Sequence, residues 1–172
     1  MWTGRPQRLP AFDYRGFRQY FLTFCTSGRR HYFEDAEVVS STLAQILRVS
    51  RQQRFAVIAY CFMPDHLHLL VEGTAEDADV RSFIKLAKQC AGYQFKRERG
   101  QPLWQRYAYE HVVRSTEATI GIARYIVENP VRAGLVTSPG QYEFVGCPAY
   151  SWEALMDAVA VKPGRSAQHG PT

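Results

Sequence analysis

The chain has 172 residues, of which 46% are hydrophobic and 22% are charged, and it carries a formal net charge of +5 at pH 7. This length suits one domain with a sizeable core, and the composition is that of an ordinary soluble protein. The four cysteines contain no C-x-x-C pair, which argues against a zinc–thiolate site. No apolar stretch approaches the roughly 18 residues of a membrane-spanning helix, and the N-terminal "MWTGRPQRLP" lacks the hydrophobic core of a signal peptide. We therefore expect a cytoplasmic protein without membrane contact.

The first half of the chain predicts the order strand, helix, strand, strand. Residues 17–27 are rich in aromatic and β-branched side chains, which is typical of a strand. Residues 34–53 carry apolar side chains near helical spacing and predict a helix. Residues 54–64 form a continuous apolar run of strand length that ends at the turn signal Pro64-Asp65. Residues 66–72 follow at once and are expected to pair with that strand as an antiparallel hairpin.

The second half predicts the order helix, strand, helix. Residues 76–100 place apolar side chains along one helical face and read as a long helix. Residues 103–115 read as a fourth strand. Residues 116–130 predict a further helix, which we expect to stop at Pro130.

This order predicts the fold class. The first six elements match a ferredoxin-like β-α-β-β-α-β unit of the α+β class, with a four-stranded antiparallel sheet and both long helices on one face. Beyond Gly146 the pattern fades: residues 150–159 predict one short helix, and residues 162–172 have the composition of a frayed tail. We expect a main domain over residues 1–146 and a partly flexible C-terminal extension over residues 147–172.

Two histidines stand one residue apart in the otherwise apolar segment "CFMPDHLHLLVEG", residues 61–73. A strand alternates its side chains between two faces, so His66 and His68 share one face. Burial of two imidazoles is costly unless something binds them, and a metal ion is one such partner. An H-x-H pair alone is weak evidence, because it also occurs by chance. We expect both rings on the sheet face opposite the two long helices or at its open edge.

A second pair lies on the predicted helix over residues 116–130. Tyr125 and Asn129 are four residues apart, so their side chains point the same way on a helix. Asn129 precedes a proline, which pushes its backbone away from regular helix. Gly134 can then supply a left-handed turn. By residue type alone, this segment is also consistent with an ordinary helix that has a well-defined end and no functional role.

Basic residues are concentrated near the N-terminus and on the long helix. Between Met1 and Tyr32, one acidic residue stands against six arginines, with aromatic residues between them. Guanidinium groups pair with phosphates and stack on bases, which suits a single-stranded nucleic acid. The stripe on the helix could track a phosphate backbone or be a solvated face. The residues predicted to bind nucleic acid are Arg5, Arg8, Arg15, Arg18, Arg29, Arg30, Arg81, Lys85 and Lys88.

Three motifs together are more specific than each alone. In the order "MPDHLHLLVEG", "LWQRYAYEHVVR" and "ARYIVENPVRAGLV", the chain resembles the REP-associated tyrosine transposases, single-tyrosine relatives of the HUH transposases. The resemblance runs from about Tyr20 to Val136. It implies that His66 and His68 bind a divalent metal ion and that Tyr125 is the nucleophile on a C-terminal helix of the domain. It also implies that Asn129 completes the metal site, where relatives can carry glutamine.

The resemblance also implies an activity and its partners. We expect a metal-dependent endonuclease and strand transferase that cuts single-stranded DNA through a 5′-phosphotyrosine, with Mg²⁺ or Mn²⁺ as cofactor. The expected partner is single-stranded DNA or a DNA hairpin of the repetitive extragenic type, with a homodimer as a further option and a nucleoid-associated location. Two alternatives remain at this point. One is a DNA-hairpin-binding protein that does not cleave. The other is a zinc hydrolase with His111 as the third histidine ligand.

Overall fold

The computed structural model describes residues 13–160. The order of elements predicted from the sequence is confirmed. No helix within residues 13–160 is long and apolar enough to cross a membrane. The strands and helices, in chain order, are β1 Gln19–Thr26, α1 Ala36–Gln52, β2 Phe55–Met63, β3 His66–Gly73, α2 Val80–Arg99, β4 Trp104–Val113, α3 Thr116–Arg132, β5 Val145–Gly146 and α4 Trp152–Ala160.

The strands form one antiparallel sheet in the order β4-β1-β3-β2-β5. The first four strands give the predicted ferredoxin-like arrangement, which confirms the fold class. The sheet has a fifth strand that the sequence pattern did not predict. β5 has only two residues and pairs with Tyr60 and Cys61 at the free edge of β2. Two residues carry too little periodicity to be recognised as a strand.

The two faces of the sheet support different helices. Tyr20, Leu22 and Phe24 of β1 and Leu67 and Leu69 of β3 face the core under α1 and α2. Each fully buried side chain of this size stabilises the fold by about 1.5–3 kcal/mol. The opposite face packs under α3 and α4, whose apolar residues join Leu70 and residues of β2 in a second core. The prediction that the two long helices share one face is therefore confirmed, and α3 packs on the other face over β2 and β3.

Side-chain caps fix where the helices begin. The carboxylate of Asp35 accepts from the backbone N–H groups of Glu37 and Val38 at the start of α1. The Ser115 hydroxyl accepts from the N–H of Ala118 at 3.1 Å and sets the start of α3. Such caps satisfy N–H groups that have no partner within the helix and contribute typically about 1 kcal/mol each.

The end of α3 differs from the sequence-based expectation. Pro130 lies inside the helix, which continues to Arg132, so the prediction that Pro130 stops the helix was wrong. A proline removes its own N–H from the ladder, but the helix continues past it, and the N–H of Ala133 donates to the carbonyl of Asn129 at 2.9 Å. Asn129 consequently keeps its helical position. Gly134, with φ of 72°, provides the left-handed residue that ends the helix, as the sequence predicted.

Candidate functional site

The two histidines of β3 meet at one point. The Nε2 atoms of His66 and His68 lie 3.1 Å apart, and the ring centroids are 4.6 Å apart at 79°. Both side chains lie on the sheet face that α3 covers, opposite α1 and α2, as the strand alternation predicted. His68 is only 5% exposed. Two convergent imidazole nitrogens of this kind can share a single cation as ligands.

The outer ring nitrogens have fixed partners. Nδ1 of His66 lies 2.6 Å from Oδ1 of Asp65, and Nδ1 of His68 lies 2.9 Å from Oγ1 of Thr23 on the neighbouring β1. A carboxylate can only accept, so the Nδ1–H of His66 donates to Asp65 and its Nε2 carries a lone pair. The hydroxyl of Thr23 can accept in the same way from His68. Partners of this type orient histidine ligands in metal sites.

Burial keeps both imidazoles neutral. It lowers the pKa of His66, although the neighbouring Asp65 acts in the opposite direction. Burial, with smaller electrostatic contributions from His66, Arg29 and Arg132, lowers the pKa of His68 to about 3. At neutral pH the site therefore presents unprotonated nitrogens, the form that coordinates a cation.

Arg29 supports Asp65 from a strained turn. Its Nε lies 2.8 Å from Oδ2 of Asp65 as an ion pair, although the N–H is not aligned for a hydrogen bond. Its Nη1 lies 2.8 Å from Sγ of Cys25. Arg29 adopts a left-handed φ of 56°, which few non-glycine residues occupy. The turn after β1 thus directs this guanidinium toward the carboxylate that holds His66.

Tyr125 lies beside the histidine pair. Its ring centroid is 5.5 Å from that of His68 and 5.9 Å from that of Phe21 on β1. The residue is 40% exposed, so a substrate can reach it. The guanidinium of Arg132 covers the same ring. The structure therefore brings together Tyr125, His66 and His68, which are far apart in sequence.

Asn129 follows Tyr125 by one helical turn. Its Nδ2 atom is buried and has no hydrogen-bond partner among the described residues. The oxygen and nitrogen of an amide are assigned from their partners, so rotation of this amide by 180° would place Oδ1 at the same point. A buried amide with an unmatched polar atom fits a cation ligand. Together with the two imidazoles, an amide oxygen from Asn129 would give a donor set suited to Mn²⁺ or Mg²⁺ with substrate oxygens.

His111 does not join this group. It lies on β4, opposite Phe21 in the β1–β4 pairing, and its side chain is exposed. Strand β1 separates it from β3. Within residues 13–160, no three His, Cys, Asp or Glu side chains lie close enough to hold a metal ion. The alternative of a three-histidine zinc site is therefore wrong for the described residues, because the register keeps His111 one strand away from His68.

The predicted nucleic-acid-binding residues lie in different places. Arg15 and Arg18 are exposed before β1, and Arg30 is exposed after it. Arg18 donates to the carbonyl of Arg15, and Arg30 donates to Tyr32. Their role stays a prediction. Arg5 and Arg8 lie outside the described residues.

The basic stripe on α2 lies on the other side of the sheet from the histidines. Arg81 and Lys85 are exposed, and the guanidinium of Arg81 lies 4.3 Å from the ring centroid of Tyr14. Lys88 is turned inward: its Nζ donates to the backbone carbonyls of Gln105 and Arg106 at 2.7 and 3.1 Å. A role in DNA binding stays a prediction for all three residues. The Lys88 ammonium already donates to the carbonyls of Gln105 and Arg106.

Sequence reasoning missed four residues of the site. Asp65 directly precedes His66 and could have been found from that adjacency. Arg132 follows Tyr125 by seven residues, which is two helical turns, so its helical face was available from spacing. Thr23 and Phe21 carry no local signal, because only the β1–β3 register places them beside His68.

Comparisons with known proteins agree with this geometry. Residues 18–129 match the sequence profile of a family described as IS200-like transposases. The chain belongs to this family. A protein of Haemophilus influenzae, provisionally named a REP-associated tyrosine transposase, is 27% identical over 129 residues, which cover 68% of this chain and 72% of that protein. The REP-associated tyrosine transposase of Escherichia coli K12 is 29% identical over 100 residues, or 58% of each chain.

Two solved structures share the fold. A REP-associated tyrosine transposase bound to a REP hairpin superposes with a TM-score of 0.67 at 23% identity, over 81% of each chain. A candidate transposase from Deinococcus radiodurans R1 superposes with a TM-score of 0.50 at 23% identity, over 75% of this chain and 97% of that one. The resemblance to REP-associated tyrosine transposases predicted from three motifs is confirmed.

Proposed function

We propose that this chain is a metal-dependent endonuclease and strand transferase of single-stranded DNA, with Tyr125 as nucleophile. His66, His68 and Asn129 would hold the cation. The observation that carries the proposal is the meeting of a partly exposed tyrosine with two neutral, convergent imidazoles on one side of the sheet.

The reaction follows from the chemistry of tyrosine. Attack by the Tyr125 oxygen on a DNA phosphorus breaks the bond to the 3′ oxygen and leaves a 5′-phosphotyrosine and a free 3′-OH. The covalent link retains the bond energy, so a second 3′-OH can rejoin the strand without ATP. The guanidinium of Arg132 lies 4.3 Å from the centroid of the Tyr125 ring and restricts the movement of this ring beside His68.

The histidines and Asn129 position the phosphate. A divalent cation held by these three residues would supply polarisation of a non-bridging phosphate oxygen. Asp65 and Thr23 hold the two imidazoles so that both Nε2 atoms face one point, and the alignment of the phosphate with the phenol then depends on rigid elements rather than loops. Histidine ligands favour Mn²⁺ over Mg²⁺ in strength, while cellular abundance favours Mg²⁺.

The substrate we propose is a DNA hairpin of the repetitive extragenic type with single-stranded flanks. The structural relative bound to a REP hairpin supports this choice, and so does the net charge of +5. The exposed residues Arg15, Arg18, Arg30, Arg81 and Lys85 are candidates for phosphate contacts, which make affinity fall with salt. Association with such DNA would place the protein at the nucleoid, and a homodimer stays an option.

One experiment tests the proposal. The protein is incubated with Mn²⁺ and labelled single-stranded DNA from its own genomic flanks, and the products are separated on a denaturing gel. We expect a covalent adduct with the wild type and none with Tyr125→Phe, which removes only the phenolic oxygen. Tyr93→Phe, at an exposed tyrosine on α2, is the matched control and should form the adduct normally.

Other outcomes are equally informative. His68→Ala should also abolish the adduct, and added Mn²⁺ should rescue it in part if His66 and Asn129 still hold the ion. Added Mn²⁺ should never rescue Tyr125→Phe. An adduct in Tyr125→Phe would show that another tyrosine is the nucleophile. Tight hairpin binding without any adduct would favour the non-cleaving DNA-binding protein.

A further inference from the structure

Part of the sheet face beside the candidate site is left uncovered by α3. Helix α3 lies over β2 and β3, where Ala59, Cys61 and Leu70 are buried beneath it. On the other half of the same face, within residues 13–160, Tyr107, Tyr109 and His111 of β4 are exposed. We call these three side chains the β4 strip.

The register places the β4 strip on the same face as the histidine pair. Tyr109 is opposite Thr23 in the β1–β4 pairing, and Thr23 is opposite His68 in the β1–β3 pairing. Side chains alternate along a strand, so Tyr107 and His111 point the same way as Tyr109. Ala108, between them, is buried in the core on the opposite face, which agrees with this alternation.

One ring joins the strip to the nucleophile. The ring of Phe21 lies 6.1 Å from that of Tyr109 and 5.9 Å from that of Tyr125. It also stacks at 5.3 Å on His68. The strip is therefore continuous with the candidate active site rather than a separate patch.

Cationic groups lie at both ends of the strip. At one end, the guanidinium of Arg106 lies 5.4 Å from the ring centroid of Tyr107, and Arg30 follows the adjoining end of β1. At the other end, a groove of about 450 Å³ is lined by Phe17, Arg18 and Arg114, among others. The phosphates of a DNA strand bound along β4 would therefore lie near positive charge at both ends of the strip.

We propose that the β4 strip is a stacking platform for the bases of single-stranded DNA next to the phosphate that Tyr125 attacks. The inference rests on the proposed function, because it assumes that DNA reaches Tyr125. Every base has a π-face, so aromatic side chains bind single strands with little dependence on sequence.

The spacing of the strip distinguishes single strands from duplex. Side chains two residues apart on a strand are about 6.8 Å apart, which is twice the roughly 3.4 Å rise per nucleotide of a duplex strand. Stacked bases of a duplex would not match Tyr107, Tyr109 and His111 in turn. An extended single strand with separated bases can match this spacing. We therefore expect the platform to bind the unpaired flank of a hairpin.

Binding of labelled oligonucleotides tests the platform. Tyr107→Ser and Tyr109→Ser are each expected to weaken binding of single-stranded DNA by about 5- to 140-fold, as loss of one stacked base predicts. Tyr109→Phe keeps the ring and is expected to bind like the wild type. Blunt duplex should bind equally to all variants. Tyr93→Ser removes an exposed tyrosine on the other side of the sheet and serves as the control.

A second measurement identifies the stacked base and guards against misfolding. Single abasic substitutions are moved along the oligonucleotide, and affinity is measured with the wild type and with Tyr107→Ser. At the stacked position the two losses should not add, because one removes the partner of the other. Additive losses of affinity at every position would overturn the proposal. Duplex binding weakened as much as single-strand binding would also overturn it, and so would a variant whose only change is its oligomeric state.

The platform and the proposed function can fail separately. If Tyr107→Ser binds single strands normally while the Tyr125 adduct forms, the platform is wrong and the activity stands. If single-strand binding depends on Tyr107 but no adduct forms with any variant, the platform stands and cleavage is wrong. At saturating DNA, Tyr107→Ser should still form the adduct, because it removes binding and not the nucleophile.

Discussion

The guanidinium carbon of Arg132 lies 4.3 Å from the ring centroid of Tyr125, while its Nη2 donates to the Tyr125 backbone carbonyl at 2.7 Å. The same positive charge contributes to the low pKa of His68. One side chain therefore contacts the proposed nucleophile at both its ring and its backbone, two helical turns along α3. Because Pro130 does not stop the helix, Arg132 remains on the face that carries Tyr125.

Arg132→Gln should slow adduct formation far more than it weakens DNA binding. Loss of the guanidinium removes the cation that lies over the Tyr125 ring and leaves the phenol free to move. A small misplacement of a reacting group costs on the order of 100-fold in rate, and we expect a loss of that size. Single-turnover adduct formation at saturating DNA measures it. Arg132→Lys keeps the charge but loses the planar stack, and an intermediate rate is expected.

Asp65→Asn should weaken metal binding while leaving the fold intact. An amide in place of the carboxylate no longer enforces an Nδ1–H on His66, so its Nε2 is less available to a cation. Changes to such supporting partners typically cost about 10- to 100-fold in metal affinity. Calorimetric titration of the protein with Mn²⁺ measures this loss of affinity. Asp77→Asn, at an exposed carboxylate paired with Arg54, should bind Mn²⁺ as the wild type does.

Lys88 predicts a pH dependence of stability. Burial lowers its pKa from 10.5 to about 8. The folded state therefore releases this proton at a lower pH than the unfolded chain does. Between these two values the unfolded state binds more protons, so the contribution of Lys88 to the free energy of unfolding rises with pH.

Substitution of Lys88 isolates this contribution from other titrating groups. Lys88→Met cannot titrate, and Lys88→Arg stays charged throughout this pH range. Denaturant unfolding from pH 8 to pH 10.5 should show the wild type gaining stability relative to both variants. A constant difference across that range would contradict the burial of a charged ammonium against the β4 carbonyls.

Gly73→Ala should destabilise the fold. A Cβ at Gly73 would overlap the backbone carbonyl oxygen of Gly16 and would lie 3.2 Å from Cβ of Ala78. Overpacking of this kind costs typically about 1–3 kcal/mol, and a backbone neighbour cannot move aside as a flexible side chain can. Thermal or denaturant unfolding measures the loss.

Gly121→Ala is the matched control for that substitution. Gly121 lies within α3, where an added Cβ meets nothing within 4 Å. Alanine there should stabilise the helix by about 1 kcal/mol, since glycine is the poorer helix former. If Gly121→Ala also lowered the free energy of unfolding, the expectation for residue 121 of α3 would be wrong.

Local periodicity alone determined much of this protein. Alternation along a strand placed His66 and His68 on one face, and helical spacing placed Tyr125 and Asn129 on one side of a helix. Both are properties of a single element, and they hold wherever that element packs. The order of elements similarly determined the ferredoxin-like arrangement, because short connections leave few topologies.

Contacts between elements were decided only by the tertiary structure. Thr23 and His68 are 45 residues apart, and the β1–β3 register alone brings them within 2.9 Å. The position of α3 over β2 and β3 decided that Tyr125 meets His68 and that Tyr107 and Tyr109 stay exposed. The inward turn of Lys88 arose in the same way. Such contacts depend on how whole faces bury apolar area against one another, a sum over distant residues that no local pattern contains.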